Sequence, residues 1–140
     1  MRADIYLKQI EECECRIDNK TAEIQRLESL ANDISPHLSK VKVQSTPNPH
    51  KAQEVWAKLI DARDELFEEV DKLICVKTDV MRTLEMLPAE QYDVLYNLYV
   101  LMKSVQRIAD EKHYTRQAIY YIRDQGIEKL QKILDSREKF

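Results

Sequence analysis

Two long stretches of the chain place apolar or small residues at alternating steps of three and four. The first stretch, residues 3–34, contains no proline or glycine. Its repeating members are Ala3, Tyr6, Ile10, Cys13, Ile17, Ile24, Leu27, Ala31 and Ile34, with Lys20 as the one polar break. This spacing is typical of the a and d positions of a coiled coil. Because a single helix cannot bury such a stripe, the pattern predicts a partner helix.

The second stretch, residues 51–86, continues the same spacing. Its members are Val55, Leu59, Ala62, Leu66, Leu73, Val76 and Val80, with Glu69 and Thr83 as polar members, and Leu87 keeps the spacing directly after the stretch. A neighbouring row of Ile60, Phe67, Ile74 and Met81 widens the stripe. A wide stripe indicates contact with more than one helix. We therefore expect an antiparallel helical hairpin, with the extra face used for dimerisation or for the C-terminal part.

Prolines divide the rest of the chain. Residues 35–50 hold three of the four prolines, which remove backbone donors and disfavour helix before them, so this segment is predicted to be a loop. Pro88 marks a new helix start. Three shorter helices are expected at 88–101, 104–112 and 115–134, the last two capped by Ser104 and Thr115. The prediction is an all-α fold, with a hairpin over 1–87 and a three-helix unit over 88–140.

Composition excludes several classes of protein. One glycine in 140 residues argues against an all-β fold and leaves no glycine-rich phosphate loop. No apolar run reaches the ~20 residues that span a bilayer, and the N-terminal residues lack a signal-peptide core, so a cytoplasmic protein without membrane contact is expected. No nucleophile has a base beside it, and Cys13 and Cys15 point to different sides of a helix. We expect no enzyme activity, no cofactor and no metal.

The last third of the chain carries the strongest functional pattern. Ile108 and Ala109 follow the Ser104 cap by four and five residues, Thr115 comes six residues after Ala109, and Ile119 and Ile122 follow Thr115 by four and seven. A helix-turn-helix needs this arrangement: a small residue where two helices cross, a short turn, and a capped second helix with buried residues at those offsets.

The same residues resemble region 4 of the sigma-70 type of transcription initiation factor. The matching positions are Leu87, Pro88, Val94, Leu95, Tyr99, Ser104, Ile108, Ala109, Thr115, Ile119, Gly126 and Leu130. The whole chain is similar to small prophage proteins of Gram-positive bacteria, which overlap the RinA/ArpU-like regulators of late phage transcription. Three positions depart from the pattern: Arg107 replaces a usual Glu, the turn Lys112-His113-Tyr114 lacks glycine, and Gly126 replaces a usual Ala.

The resemblance and the helical geometry together predict how DNA would be bound. The recognition helix is expected at 115–134, with its first turns in the major groove. The predicted base-reading residues point away from Ile119 and Ile122; they are Arg116, Gln117, Tyr120 and Tyr121. The predicted phosphate contacts are Thr115, Lys103, Lys112, His113 and Arg123. Arginine can bind guanine and glutamine can bind adenine through two hydrogen bonds.

The function expected from the sequence is therefore sequence-specific binding of double-stranded DNA in transcriptional control. RNA polymerase is a further expected partner, and the hairpin is expected to form a homo-oligomer. Two alternatives stay open: a small terminase-like subunit that recognises DNA for packaging, and a helical protein-interaction module without DNA binding. The hairpin is acidic (net −4 over 1–87) and the C-terminal part is near neutral (net +1 over 88–140). This charge distribution suits the regulator and the terminase-like subunit, because it keeps non-specific DNA affinity low.

Overall fold

The fold is described by a computed structural model over residues 1–40 and 49–138, with side chains described for 1–33 and 51–138. Five α-helices follow one another: α1 (Ala3–Lys40), α2 (Pro49–Leu84), α3 (Ala89–Leu95), α4 (Val105–Lys112) and α5 (Arg116–Glu138). A π-helical segment, Tyr96–Val100, continues α3. The described residues contain no β-strand. The prediction of an all-α fold is confirmed.

The first two helices reach further into the proline-rich segment than the sequence predicted. Helix α1 continues past Pro36 to Lys40, and α2 begins at Pro49. A proline inside a helix has a φ angle near the helical value, but it removes one backbone hydrogen bond and crowds the carbonyl four residues earlier, so α1 continues past Pro36 at a cost in stability. Pro49 starts a helix, where its missing N–H has no helical partner. The predicted loop 35–50 is therefore shorter at both ends, and its centre, 41–48, lies outside the described residues.

Packing divides the chain into two compact units, Glu14–Asp71 and Met1–Cys13 with Lys72–Phe140. In the unit Glu14–Asp71, Ile24 and Leu27 of α1 share a buried cluster with Leu59 and Ala62 of α2. Ion pairs join Lys20 to Glu65 and Glu28 to Arg63. Residue numbers fall along α2 as they rise along α1, so the two helices run antiparallel and the predicted hairpin is confirmed. The domain boundary predicted between 87 and 88 stays a prediction.

In the other unit, the start of α1 and the end of α2 share a core with the C-terminal helices. Fully or nearly fully buried side chains form this cluster: Ala3, Tyr6, Leu7, Ile10, Val80, Leu84, Leu87, Leu95, Val100, Leu130 and Leu134. Hydrogen bonds add to it, since the backbone N–H of Ala3 donates to Gln131 Oε1 over 2.8 Å. The second half of α5 thus packs on residues of the predicted heptad seam, not on the extra row of α2, whose member Ile74 is 57% exposed.

A polar group sits at the edge of this core. The Tyr6 hydroxyl donates to Asp79, and it lies 3.0 Å from the hydroxyl of the fully buried Thr83. Arg137 of α5 reaches the same carboxylate, with Nη1 3.4 Å from Asp79 Oδ2. Burial and the bond to Asp79 raise the pKa of Tyr6 above its ordinary value. The group links α1, α2 and α5 through one carboxylate.

The three cysteines differ in exposure. Cys13 is buried in the seam, whereas Cys15 and Cys75 are exposed. Over the described residues, no helix combines the length and the apolarity needed to cross a bilayer. Within the same part of the chain, no group of three His, Cys, Asp or Glu side chains is placed to hold a metal ion.

Candidate nucleic-acid interface

Helix α4 begins at the cap that the sequence predicted. Ser104 has extended backbone angles (φ −72°, ψ 156°), and its hydroxyl oxygen accepts the backbone N–H of Arg107 over 3.1 Å. This bond satisfies one of the N–H groups that a helix start leaves without a partner. The cap therefore fixes where α4 starts, and with it the orientation of the eight residues that follow.

The turn between α4 and α5 closes on a left-handed residue. His113 has φ 58° and ψ 38°, and the N–H of Tyr114 donates to the carbonyl of Ala109 over 2.9 Å. Glycine usually takes this position because a side chain there costs about 1 kcal/mol. Histidine adopts it more readily than most other residues. The turn thus forms without the glycine that the resemblance led us to expect.

Helix α5 begins directly after a second cap. The Thr115 hydroxyl oxygen accepts the backbone N–H of Ala118 over 3.1 Å. A hydroxyl that accepts one bond keeps its own hydrogen for donation. Thr115 can therefore cap α5 and donate to a phosphate at the same time.

A small core joins the two helices. Ile108 and Ala109 of α4, Ile119 and Ile122 of α5, and Val94 of α3 are all buried in one cluster. Ala109 is only 3% exposed. These are the offsets predicted for a helix-turn-helix, and three shorter helices follow Pro88 as predicted. Leu130 was expected to close the same stripe. It is buried instead in the cluster that α5 shares with the start of α1 and the end of α2.

The single glycine lies where α5 meets α3. A Cβ added at Gly126 would come within 2.9 Å of Leu95 Cδ1 and 3.4 Å of Gln91 Cβ. Leu95 is fully buried, so it has little room to move away. Sequence reasoning interpreted Gly126 as a loss of helix stability of roughly 1 kcal/mol. The structure adds a reason for it, since glycine permits the close approach of the two helices.

The predicted base-reading residues lie together on the first turns of α5. Arg116, Gln117, Tyr120 and Tyr121 are all exposed, with Tyr120 at 42% and Tyr121 at 64%. Their spacing of one, four and five residues puts them on one side of the helix. The Arg116 Nε–H donates to Gln106 Oε1 of α4. This bond holds the guanidinium beside the turn between α4 and α5.

Tyr121 lies at the rim of a cavity of about 290 Å³ between α3 and α5. Its hydroxyl accepts a hydrogen bond from Gln125 Nε2 over 2.7 Å. Tyr114 and Gln91 also line the cavity. Gln91 is 8% exposed, and its Oε1 has no hydrogen-bond partner among the described residues. Nothing in the sequence pattern indicated this cavity, because it depends on how far apart α3 and α5 lie.

Three of the predicted phosphate contacts form ion pairs within the unit. Lys103 Nζ lies 2.9 Å from Glu111 Oε2, Lys112 pairs with Asp93, and Arg123 Nη2 lies 2.8 Å from Asp124 Oδ1. The bond from Lys103 lowers the pKa of Glu111 below its ordinary value. Such pairs at the surface are weak and can exchange partners. The fifth predicted contact, His113, is exposed in the turn.

Sequence reasoning missed one charged residue on this face. Asp124 is exposed and comes four residues after Tyr120, which places it on the same side of α5. Its carboxylate would repel DNA phosphates unless Arg123 stays paired with it. The Arg123 guanidinium also lies 4.8 Å from the centre of the Tyr120 ring. The signal for Asp124 is its helical spacing, since it follows Arg116 by eight residues and Tyr120 by four.

Comparison with known proteins adds no assignment: no family model, no curated protein and no solved structure matches this chain.

Proposed function

We propose that the protein binds double-stranded DNA sequence-specifically through α4 and α5. The observation that carries this proposal is the three-residue turn, 113–115, between two capped helices that share a buried core with Ala109. In a helix-turn-helix, this arrangement leaves the N-terminal turns of the second helix free to enter the major groove. Those turns are the ones that present Arg116, Gln117 and Tyr120 to solvent.

Each exposed side chain has a role in the proposal. Arg116 would bind the O6 and N7 atoms of guanine, and Gln117 would bind the N6 and N7 atoms of adenine. Tyr120 and Tyr121 would contact base edges beside them. Thr115 at the helix start and His113 in the turn would donate to phosphates, and Lys103 and Lys112 would exchange their carboxylate partners for phosphates. Arg123 would contact a phosphate through its remaining donors while it stays paired with Asp124. We place this binding in transcriptional regulation, where RNA polymerase is a further partner.

The hairpin is assigned a role in assembly. We propose that it forms a homo-oligomer, which would present two or more reading helices to a repeated or palindromic site. A small terminase-like subunit is the alternative within DNA binding. It would form a ring and bind a large packaging ATPase.

One observation favours a protein-interaction module instead. Lys103, Lys112 and Arg123 are already paired with carboxylates, and Asp110, Glu111 and Asp124 are exposed on α4 and α5. The face therefore has little free positive charge to attract phosphates, which supply most non-specific affinity for DNA. Under this alternative, the same face binds a protein, and DNA binding is absent at any salt concentration.

Selection from random duplex DNA tests the proposal. The purified full-length protein is incubated with a random library at low and moderate salt, and the bound duplexes are sequenced after several rounds. We expect one enriched motif. The variant Arg116→Ala/Gln117→Ala should lose it, because both substitutions remove contacts to bases. The control Lys129→Ala, an exposed residue later on α5, should keep it.

Each result has a defined meaning. A motif that wild type and Lys129→Ala enrich and the double variant does not assigns the reading helix. A palindromic or repeated motif, together with a measured mass above that of the monomer, supports the oligomer. Failure to enrich any motif contradicts sequence-specific recognition by the chain alone and favours the interaction module.

A further inference from the structure

Helix α2 exposes a row of large apolar side chains beside the stripe that α1 covers. In the unit Glu14–Asp71, Trp56 is 47% exposed, Ile60 57% and Phe67 69%. They lie at steps of four and seven, the spacing of a seam between helices. The buried cluster of the same unit uses other residues of α2, namely Leu59, Ala62 and Leu66. The row is thus additional to the surface that α1 covers.

The row has an acidic border. Asp64 and Asp71 lie four residues after Ile60 and Phe67, so they form the next line of side chains around α2. Asp61 and Glu68 stand one line further out, and all four residues are exposed. None of the ion pairs between described residues involves any of these four carboxylates. The face therefore combines apolar surface with a line of negative charge.

A recess lies at one end of the row. It has a volume of about 200 Å³, and Ala31 and Asn32 of α1 line it together with Trp56 and Leu59 of α2. Glu28, paired with Arg63 over 3.0 Å, forms another part of its wall. Arg63 lines the recess as well and neutralises Glu28, so the recess suits an apolar side chain that packs against Ala31, Trp56 and Leu59.

The charge of this face argues against a second copy of the chain as its occupant. Trp56, Ile60 and Phe67 expose on the order of 300–400 Å² of apolar surface at these exposed fractions, enough to seat one helix. Antiparallel pairing of two such faces would bring the Asp64 and Asp71 line of one copy against the same line of the other, and like charges repel. A single foreign helix with basic residues would place positive charge against that line instead.

We propose that this face docks an amphipathic helix of a partner protein. The partner helix is apolar where it meets Trp56, Ile60 and Phe67, and it carries lysine or arginine along the edge that meets Asp64 and Asp71. This assignment does not depend on DNA binding by α4 and α5. It leaves the proposed homo-oligomer to other faces of the hairpin.

A synthetic peptide provides the probe. A fluorescently labelled helical peptide with leucine at its a and d positions and lysine at e and g is titrated with the full-length protein, and fluorescence anisotropy reports binding. A second peptide has glutamate in place of every lysine. We expect wild type to bind the lysine peptide and not the glutamate peptide. Binding should weaken as salt is added, because charge attraction is screened.

Two variants with matched controls locate the site. Ile60→Ser/Phe67→Ser removes two apolar contacts and should weaken binding about tenfold or more, while Ile5→Ser/Leu30→Ser removes two exposed apolar residues of α1 and should leave it within about twofold. Asp64→Asn/Asp71→Asn should weaken binding about threefold and reduce its salt dependence. The control Asp18→Asn/Asp33→Asn makes the same change in net charge on α1 and should do neither.

Several outcomes would overturn the proposal. These are failure of wild type to bind the lysine peptide, equal binding of the glutamate peptide, or equal loss in Ile60→Ser/Phe67→Ser and Ile5→Ser/Leu30→Ser. A further contradicting outcome can come from sedimentation of the protein without peptide. If wild type self-associates and Ile60→Ser/Phe67→Ser is monomeric, the face binds a second copy of the chain, and the assignment to a basic partner helix is wrong. All substituted residues are exposed, so the variants should keep the circular dichroism of wild type.

Discussion

Replacement of Gly126 by alanine tests the packing that supports the reading helix. Two opposing effects act at this position. Alanine favours the helical conformation by about 1 kcal/mol relative to glycine. Against this, the new Cβ would come within 2.9 Å of Leu95 Cδ1 and 3.4 Å of Gln91 Cβ. Overpacking of a core costs about 1–3 kcal/mol.

The burial of Leu95 decides which effect is larger. An exposed leucine could turn its terminal methyl group away at little cost, but Leu95 is fully buried, in the cluster that also holds Leu130 and Leu134. We therefore expect Gly126→Ala to lower the free energy of unfolding by about 1 kcal/mol, since the packing loss exceeds the gain in helix propensity. Urea unfolding followed by circular dichroism measures this difference. Leu95→Val in the same background removes the methyl group that meets the new Cβ.

The double substitution makes the test specific. Leu95→Val alone should lower stability by about 1 kcal/mol, and Gly126→Ala/Leu95→Val should be less destabilised than the sum of the two single changes. Ser136→Ala, at an exposed position of α5, serves as the control for helix propensity. If Gly126→Ala stabilises the protein by about 1 kcal/mol, as an open helical site would, the close contact between α3 and α5 is refuted.

Other predictions concern single groups. Tyr6→Phe should lower the free energy of unfolding by about 1 kcal/mol, because it removes a hydrogen bond to Asp79. The pKa of Tyr6 is raised in the folded state, so the stability that this group contributes is fully present below the ordinary tyrosine pKa and is lost as pH rises through the higher folded value. In urea unfolding at pH 8–11, the free energy of unfolding should therefore fall less steeply with pH for Tyr6→Phe than for wild type. His113→Gly should raise the melting temperature through a gain of about 0.5–1 kcal/mol at a left-handed position, and an unchanged or lower value would contradict the turn geometry. Ser104→Ala and Thr115→Ala should each cost about 1 kcal/mol through loss of a cap, with no loss in either one arguing against that cap.

Local patterns in the sequence predicted much of the fold. The three-four repeat identified the hairpin seam, and the offsets from Ser104 and Thr115 identified the cluster between α4 and α5. These patterns are local because residues three or four apart share one side of a helix. Leu7 was missed although it is fully buried, since it stands one residue beyond the seam and contacts a core that includes the C-terminal helices.

Features that depend on distant parts of the chain could not be predicted. The sequence gives no sign that α5 packs on the start of α1, because two stripes of similar spacing can each pair with several helices.

The π-helical segment after α3 has local hydrogen bonds that the spacing of apolar residues does not reveal. The side-chain amide of Asn97 donates to the Asp93 carbonyl over 2.7 Å, and the N–H of Leu101 bonds five residues back, to Tyr96.

The candidate interface follows the same division. Helical spacing placed Arg116, Gln117 and Tyr120 correctly on one exposed side of α5. It did not reveal that Lys103 and Lys112 are paired with carboxylates, because their partners on α3 and α4 come close only in the folded chain. Whether the exposed side reads bases stays a prediction.

The ratio of specific to non-specific DNA affinity tests the central claim most directly. The selected duplex and a scrambled duplex are titrated side by side with wild type, Arg116→Ala and Lys129→Ala at one fixed salt concentration. Recognition through α5 predicts a ratio of at least ~10³ for wild type and Lys129→Ala, and a loss of about tenfold or more in that ratio for Arg116→Ala, with weaker discrimination at one guanine. Equal affinity of wild type for both duplexes, or an unchanged ratio in Arg116→Ala, would contradict the account.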